Sequence, residues 1–260
     1  MLSVSSGQLE AWIAAFAFPL ARILGVIAAA PLFNSRGVPT RIRLALGLAV
    51  ALAVVPALPP MPRVPLSSWL ALTVLAQEAF IGIAMGFVLR LVFVAVDAAG
   101  ELIGLQMGLS FATFFDPEAG GQTIVLAEFL GLLTSLIFLG INGHLLLLEV
   151  AAHSFEWLPV ATPISARGWH FVAYYGITVF SAGFLLALPL IAALLITNIA
   201  MGVLTRAAPQ LNLFAVGFPI TMTAGFLTLI LALSAFGPVV QRLFEGGFEA
   251  IDLLLRALAG

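Results

Sequence analysis

Apolar residues in this 260-residue chain come in runs long enough to cross a hydrocarbon core, which takes about 20 consecutive helical residues. The first run extends from Ala11 to Phe33, interrupted by Pro19 and Arg22, and closes on the turn-rich, cationic stretch from Asn34 to Arg43. A second covers Leu44 to Leu58. The cluster Pro56, Pro59, Pro60, Pro62 and Pro65 ends it, because proline neither donates a backbone hydrogen bond nor continues a helix. From Leu70 to Gly108 the pattern stays helical without a proline for about 39 residues, or roughly 58 Å at 1.5 Å per residue. That is nearly twice a hydrocarbon core, so the segment either folds back at a glycine or projects beyond the bilayer inside a protein assembly.

The stretch Ser110 to Thr123, SFATFFDPEAGGQT, is a loop, because Asp116-Pro117 and Gly120-Gly121 prevent regular helix. A helix over Ile124 to Ala151 comes next, then a polar, proline-bearing connection from His153 to His170. Phe171 to Leu204 and Leu211 to Phe236 form a hairpin around the segment Thr205 to Gln210. In the last segment, Gln241 to Leu258, residues Arg242, Glu245, Glu249, Asp252 and Arg256 recur at spacings of three and four. They make one polar stripe, while Leu243, Phe244, Phe248, Ile251, Leu254, Leu255 and Leu258 supply the apolar side. This end lies on a surface or on a partner helix, the plainer reading being an ordinary amphipathic end helix without special role. The fold class is all-α, an integral-membrane-type protein with about six long apolar helices in hairpins.

Composition fixes the solvent. Hydrophobic residues make up 62% of the chain and charged ones 8%, against about 25% charged in a soluble domain. Mean hydropathy is +1.18. Net charge is −2 with no basic run, which argues against nucleic acid as a partner. There is no Cys, so disulfides and thiolate chemistry are excluded. All ten cations are Arg, a weakly hydrated fork suited to buried pairs, although GC-rich codon usage would produce the same bias. No basic region precedes the first apolar run, and no removed signal peptide is expected. Arg36, Arg41 and Arg43 mark a cytoplasmic loop and place the Arg206 tip on the same side if six crossings are counted, while Arg63 and Arg167 fall opposite.

Against this background, the polar groups at depth are the candidates for function: Glu78, Arg90, Asp97, Glu101, Glu128, Asn142, His144, Asn198 and Arg206. An unpaired charge in hydrocarbon costs several kcal/mol or more, so these groups face protein or a water-filled path. Partners on other chains are the expected solution. Arg90, Asp97 and Glu101 share one helix face, which fits a structural ion pair, a proton relay or contacts with a neighbouring subunit. Gly82 and Gly86 form one G-x-x-x-G, and Gly100, Gly104 and Gly108 repeat the spacing, so that other backbones can approach closely. Phe111, Phe114 and Phe115, followed by Asp116 and Pro117, are buried in protein or line a constriction of the kind that gates by dewetting. His144, His153 and His170 do not reproduce a metal motif, and neither a nucleophile elbow nor a phosphate loop occurs. The sequence therefore argues against an enzyme and implies no cofactor.

The order of Pro31-Leu32-Phe33 with RIRLAL (41–46), the Gly100/Gly104 ladder running into Phe114-Phe115-Asp116-Pro117, LGINGHLLLL (139–148) and LTRAAPQLNLFAVGFPI (204–220) closely resembles the FliR family of flagellar export proteins. The likeness covers nearly the whole chain, and the segment 204–220 is its most specific piece. It implies a channel or gate subunit of the flagellar type III export apparatus, assembled with FliP-like and FliQ-like chains and an FlhB-like protein. Unfolded export substrates would pass through it, in the bacterial inner membrane at the flagellar basal body.

By the same resemblance, residues 1–170 are a FliP-like part fused to a FliQ-like hairpin at 171–240, with an amphipathic helix at 241–260. Residues 109–122 correspond to the loop that plugs the closed channel, with Phe111, Phe114 and Phe115 as the barrier. The tip residues Arg206, Gln210 and Asn212 would face the FlhB-like partner. The homologous subunit of a virulence injectisome, or a proton-coupled secondary transporter using Asp97, Glu101 and Arg90, are the competing readings.

Overall fold

The computed structural model describes residues 6–34, 37–58, 64–65, 67–109, 125–208 and 213–260. Regular structure there is entirely helical: α1 (Ser6–Ala29), α2 (Thr40–Val54) with a 3₁₀ turn at Val55–Ala57, α3 (Trp69–Gln106), α4 (Val125–Gly140), α5 (Gly143–Trp157), α6 (Ala166–Tyr175), α7 (Ile177–Ala207) and α8 (Leu213–Ala259). Among the described residues, five spans are long and apolar enough to cross a membrane, or six if α4 and α5 make one broken span.

The overlong apolar segment is one uninterrupted helix of 38 residues, α3. Its end is set by glycine. Gly108 has φ +79°, Leu109 N–H donates to Gly104 O at 3.0 Å and Gly108 N–H to Leu105 O at 3.1 Å, the paired bonds of a Schellman stop. Gly108 thus supplies a left-handed residue that a side chain would strain.

Three boundaries differ from the sequence pattern. The run expected as one helix over Phe171 to Leu204 is divided at Gly176 between α6 and α7, and α6 begins at Ala166, inside the stretch expected as a connection, where the Ser165 hydroxyl caps it by accepting from Arg167 N–H. The helix expected over Ile124 to Ala151 breaks at Ile141-Asn142, where Asn142 takes φ +57°. Asparagine is among the few residues that enter the left-handed region readily, and Gly143 starts the next helix. Conversely, the C-terminal amphipathic segment is not separate. It continues the last apolar helix through Pro238 as one helix of 47 residues, α8.

The chain divides into two compact units, and α3 and α8 each contribute to both. The first contains residues up to Leu91, Asn142–Gly176 and Glu245–Gly260. Its core gathers Phe18, Ile23 and Ile27 of α1, Ala51 of α2, Ala71 and Val74 of α3, and Phe155 and Val160. Small residues let its helices touch backbone to backbone. A Cβ on Gly25 would stand 2.5 Å from Ala79 O, one on Gly86 2.8 Å from Val26 O, and one on Gly82 would overlap Arg22 O. The end of α8 packs here as well: Ile251, Leu254, Leu255 and Leu258 are buried, Leu258 lies over Gly168, and Leu258 O accepts from Ser165 N–H at 2.8 Å. Glu245, Glu249 and Arg256 stay exposed. The amphipathic pattern is therefore largely spent within the chain.

The second unit contains Val92–Ile141 and Ile177–Phe244. Phe93, Phe138 and Phe244 form its aromatic centre, with ring centroids 5.0 to 5.6 Å apart. Gly100 meets Ala127 of α4, Gly183 of α7 meets Ala95 O, and Gly225 of α8 meets the Met107 side chain.

Candidate functional site

Among the described residues, the most deeply buried charges are Arg22 on α1 and Glu78 on α3, both fully enclosed. Arg22 Nε donates to Glu78 Oε2 at 2.6 Å, and Nη2 lies 2.6 Å from the same oxygen. Nη1 donates to Ser154 O and Oγ at 3.0 and 3.1 Å, and Nη2 to Leu158 O at 2.9 Å. The guanidinium sits 4.2 Å from the Phe155 ring centroid. All three nitrogens of the fork are engaged, which is the condition for a buried pair to be tolerated.

Glu78 Oε1 accepts the amide of Ala161 at 3.4 Å, and Gln77 Nε2 donates to Thr162 O at 2.7 Å. Ala161 has φ +65°, so the turn after α5 takes a strained conformation as it meets α3. Glu78, expected to find its cation on another chain, finds it in Arg22 of its own. The cluster clips α1, α3, α5 and the following turn together. It has no free donor or open face for chemistry, and its role is structural.

Arg90, Asp97 and Glu101 lie differently. All three are exposed along α3, and among the described residues Arg90 and Asp97 form no ion pair. Asp97 Oδ1 rests over Gly131, 2.9 Å from where a Cβ would stand, and its carboxylate is one turn from that of Glu101, so the two repel. Glu128 is exposed in the first turn of α4, where the helix dipole favours an anion. Asn198 and Arg206 are exposed on α7. His144 has its Nδ1 buried without a hydrogen-bond partner among the described residues. Asn142 is exposed and serves the break between α4 and α5.

Of the glycines, Gly82 and Gly86 meet α1, Gly100 meets α4, Gly104 is buried, and Gly108 ends α3. Phe111, Phe114, Phe115, Asp116, Pro117, Gln210 and Asn212 lie outside the described residues. Among the described residues no group of three His, Cys, Asp or Glu could hold a metal ion.

Arg22, Gly25 and Ser154 escaped sequence reasoning as parts of one site. A signal was present: Arg22 precedes Gly25 by three residues and Glu78 precedes Gly82 by four, so each apolar helix carries a charge beside a small residue. Opposite charges so placed mark a close helix crossing.

Residues 13–247 match the family model described as bacterial export proteins, family 1. The flagellar biosynthetic protein FliR of Pectobacterium carotovorum subsp. carotovorum is 42% identical over 260 residues, covering 100% of this chain and 99% of the relative. That of Escherichia coli K12 is 40% identical over 259 residues, 99% of each chain. The FliR of Bacillus subtilis 168 is 31% identical over 250 residues, 95% of this chain and 96% of the relative. With likeness running end to end on an all-helical, membrane-length scaffold, the chain belongs to the bacterial export proteins of family 1, the family of the flagellar biosynthetic protein FliR.

Proposed function

We propose that this chain is a non-enzymatic gate subunit of the flagellar type III export apparatus, forming with FliP-like and FliQ-like chains the conduit for unfolded export substrates. The observation that carries the reading is end-to-end similarity to FliR proteins in distantly related bacteria. The exposed Arg90, Asp97 and Glu101 support it, since ionic groups on so apolar a helix need polar partners or water. Residues 1–170 act as the FliP-like part and 171–240 as the FliQ-like hairpin, whose Arg206, Gln210 and Asn212 tip meets an FlhB-like partner. The loop 109–122 closes the channel through Phe111, Phe114 and Phe115. The complex sits in the bacterial inner membrane at the flagellar basal body. The likeness to the flagellar biosynthetic proteins of Pectobacterium carotovorum and Escherichia coli favours this system over an injectisome.

The test is complementation. In a host lacking its own FliR, this chain restores export of flagellar subunits to the medium and swimming. Correct membrane insertion with no export would overturn the assignment.

A further inference from the structure

Glycine inside a helix destabilises it relative to alanine, and in this chain a close crossing usually accounts for it. Gly82 meets the Arg22 backbone, Gly100 meets Ala127, and Gly183 on α7 meets Ala95 O. Gly202, also inside α7, meets nothing within 4 Å. Gly237 and Gly246 are open as well, but the first adjoins Pro238 within α8 and the second another glycine. Asn198 stands one turn before Gly202 and Arg206 one turn after, so the three line one face of α7. Asn198 and Arg206 are exposed, and neither makes a hydrogen bond or ion pair among the described residues. The Ser181, Thr197 and Thr205 hydroxyls of the same helix donate to α7 carbonyls at 3.0 to 3.3 Å, an outlet the Asn198 amide does not take.

Glu78 and Gly82 have the same spacing on α3, and there a second helix, α1, rests its backbone on the glycine and brings Arg22 to the carboxylate. Asn198 and Gly202 repeat that arrangement on α7 with open space opposite. Chemistry narrows what fits there. Lipid tails offer the Asn198 amide no hydrogen bond. Water does not suit the flanks, since Ile196, Ile199 and Val203 are 65 to 69% exposed and wholly apolar. A second copy in the same orientation sets Arg206 against Arg206. We infer that α7 binds, across Gly202, an apolar helix of a different polypeptide. That helix carries a small residue opposite Gly202, a hydrogen-bonding side chain opposite Asn198 and a carboxylate opposite Arg206, about 12 Å further along. The inference rests on the gate assignment in one respect, that other subunits surround this chain.

The test places a photo-crosslinker at Ile199 of the full chain in host membranes and identifies the captured peptide by mass spectrometry. The expected capture is an apolar segment of another polypeptide with Gly, Ala or Ser and, at the stated spacing, Asp or Glu. Its yield should fall about fivefold in Asn198→Leu and more than about tenfold in Gly202→Leu, and stay unchanged in Phe180→Leu, five turns away on α7. Gly202→Leu meets no atom of its own chain, so it folds as wild type does, which circular dichroism checks. Capture of lipid alone, of a second copy of this chain, or of a segment without an acid would overturn the inference. An assembled complex whose crosslinking is unchanged in both Asn198→Leu and Gly202→Leu would overturn the inference alone, whereas a wild-type chain that co-purifies with no other polypeptide would overturn the gate assignment together with it.

Discussion

Removing the Glu78 carboxylate leaves the Arg22 guanidinium enclosed without its counter-charge, and breaking a buried pair on one side costs about 3–5 kcal/mol. Glu78→Ala is therefore expected to lower the stability of the detergent-solubilised chain by that amount, measured by reversible denaturant titration followed by circular dichroism. The double variant Arg22→Met with Glu78→Leu should recover most of the loss, since no lone charge remains; a double variant as unstable as the single one would contradict the pairing. Ala161 carries a smaller strain. A left-handed alanine costs about 1–2 kcal/mol relative to glycine, so Ala161→Gly should raise the unfolding midpoint, and a lowered midpoint would show that the turn needs the methyl group more than the relief. Residue types were legible where chemistry constrains them: Glu78 stood out as costly in an apolar run. Its partner did not, because the local signal, Arg22 beside Gly25 and Glu78 beside Gly82, marks each helix as one side of a close crossing without saying which two helices cross.

At the level of helices, the small-residue positions sort by what stands opposite them. Gly82→Leu must push α1 off α3, because its side chain would enter the Arg22 backbone, whereas Gly202→Leu on α7 meets open space. The first is expected to abolish the folded chain in detergent by circular dichroism and limited proteolysis, and the second to leave the isolated chain unchanged. Loss of the Gly202 variant on its own would show that α7 packs against its own chain there. Hydrophobic run length gave α1, α2 and α3 nearly whole, since span length and proline punctuation carry that information locally, but it merged the end of α6 with α7 because the break at Gly176 lies inside an apolar run. The division of α4 from α5 was hidden, because Asn142 and Gly143 sit in an unbroken apolar run and only the backbone angle at Asn142 reveals the stop. Continuity of α8 through Pro238 was hidden for the opposite reason: a proline that ends an isolated helix is tolerated where packing on both sides holds the chain.

For the whole molecule, the sequence resemblance carried the family and the membrane-length helices carried the class, but the depth at which charges are satisfied divides in two. Arg22 and Glu78 answer each other inside the chain, whereas Arg90, Asp97 and Glu101 are displayed on α3. In the proposed gate, the displayed groups meet neighbouring subunits. Deleting residues 109–122 is expected to leave an assembled complex that conducts ions across planar bilayers, and unchanged conductance with intact assembly would remove the plug from the proposal. The most direct test is purification of the tagged chain from its host membrane in mild detergent, with wild type compared against Asp97→Ala/Glu101→Ala. Wild type should elute as a complex of fixed composition with other export subunits and the double variant as the chain alone, still helical. A wild-type chain that elutes as a stable, soluble-in-detergent monomer would contradict the claim that its exposed charges are completed by other polypeptides.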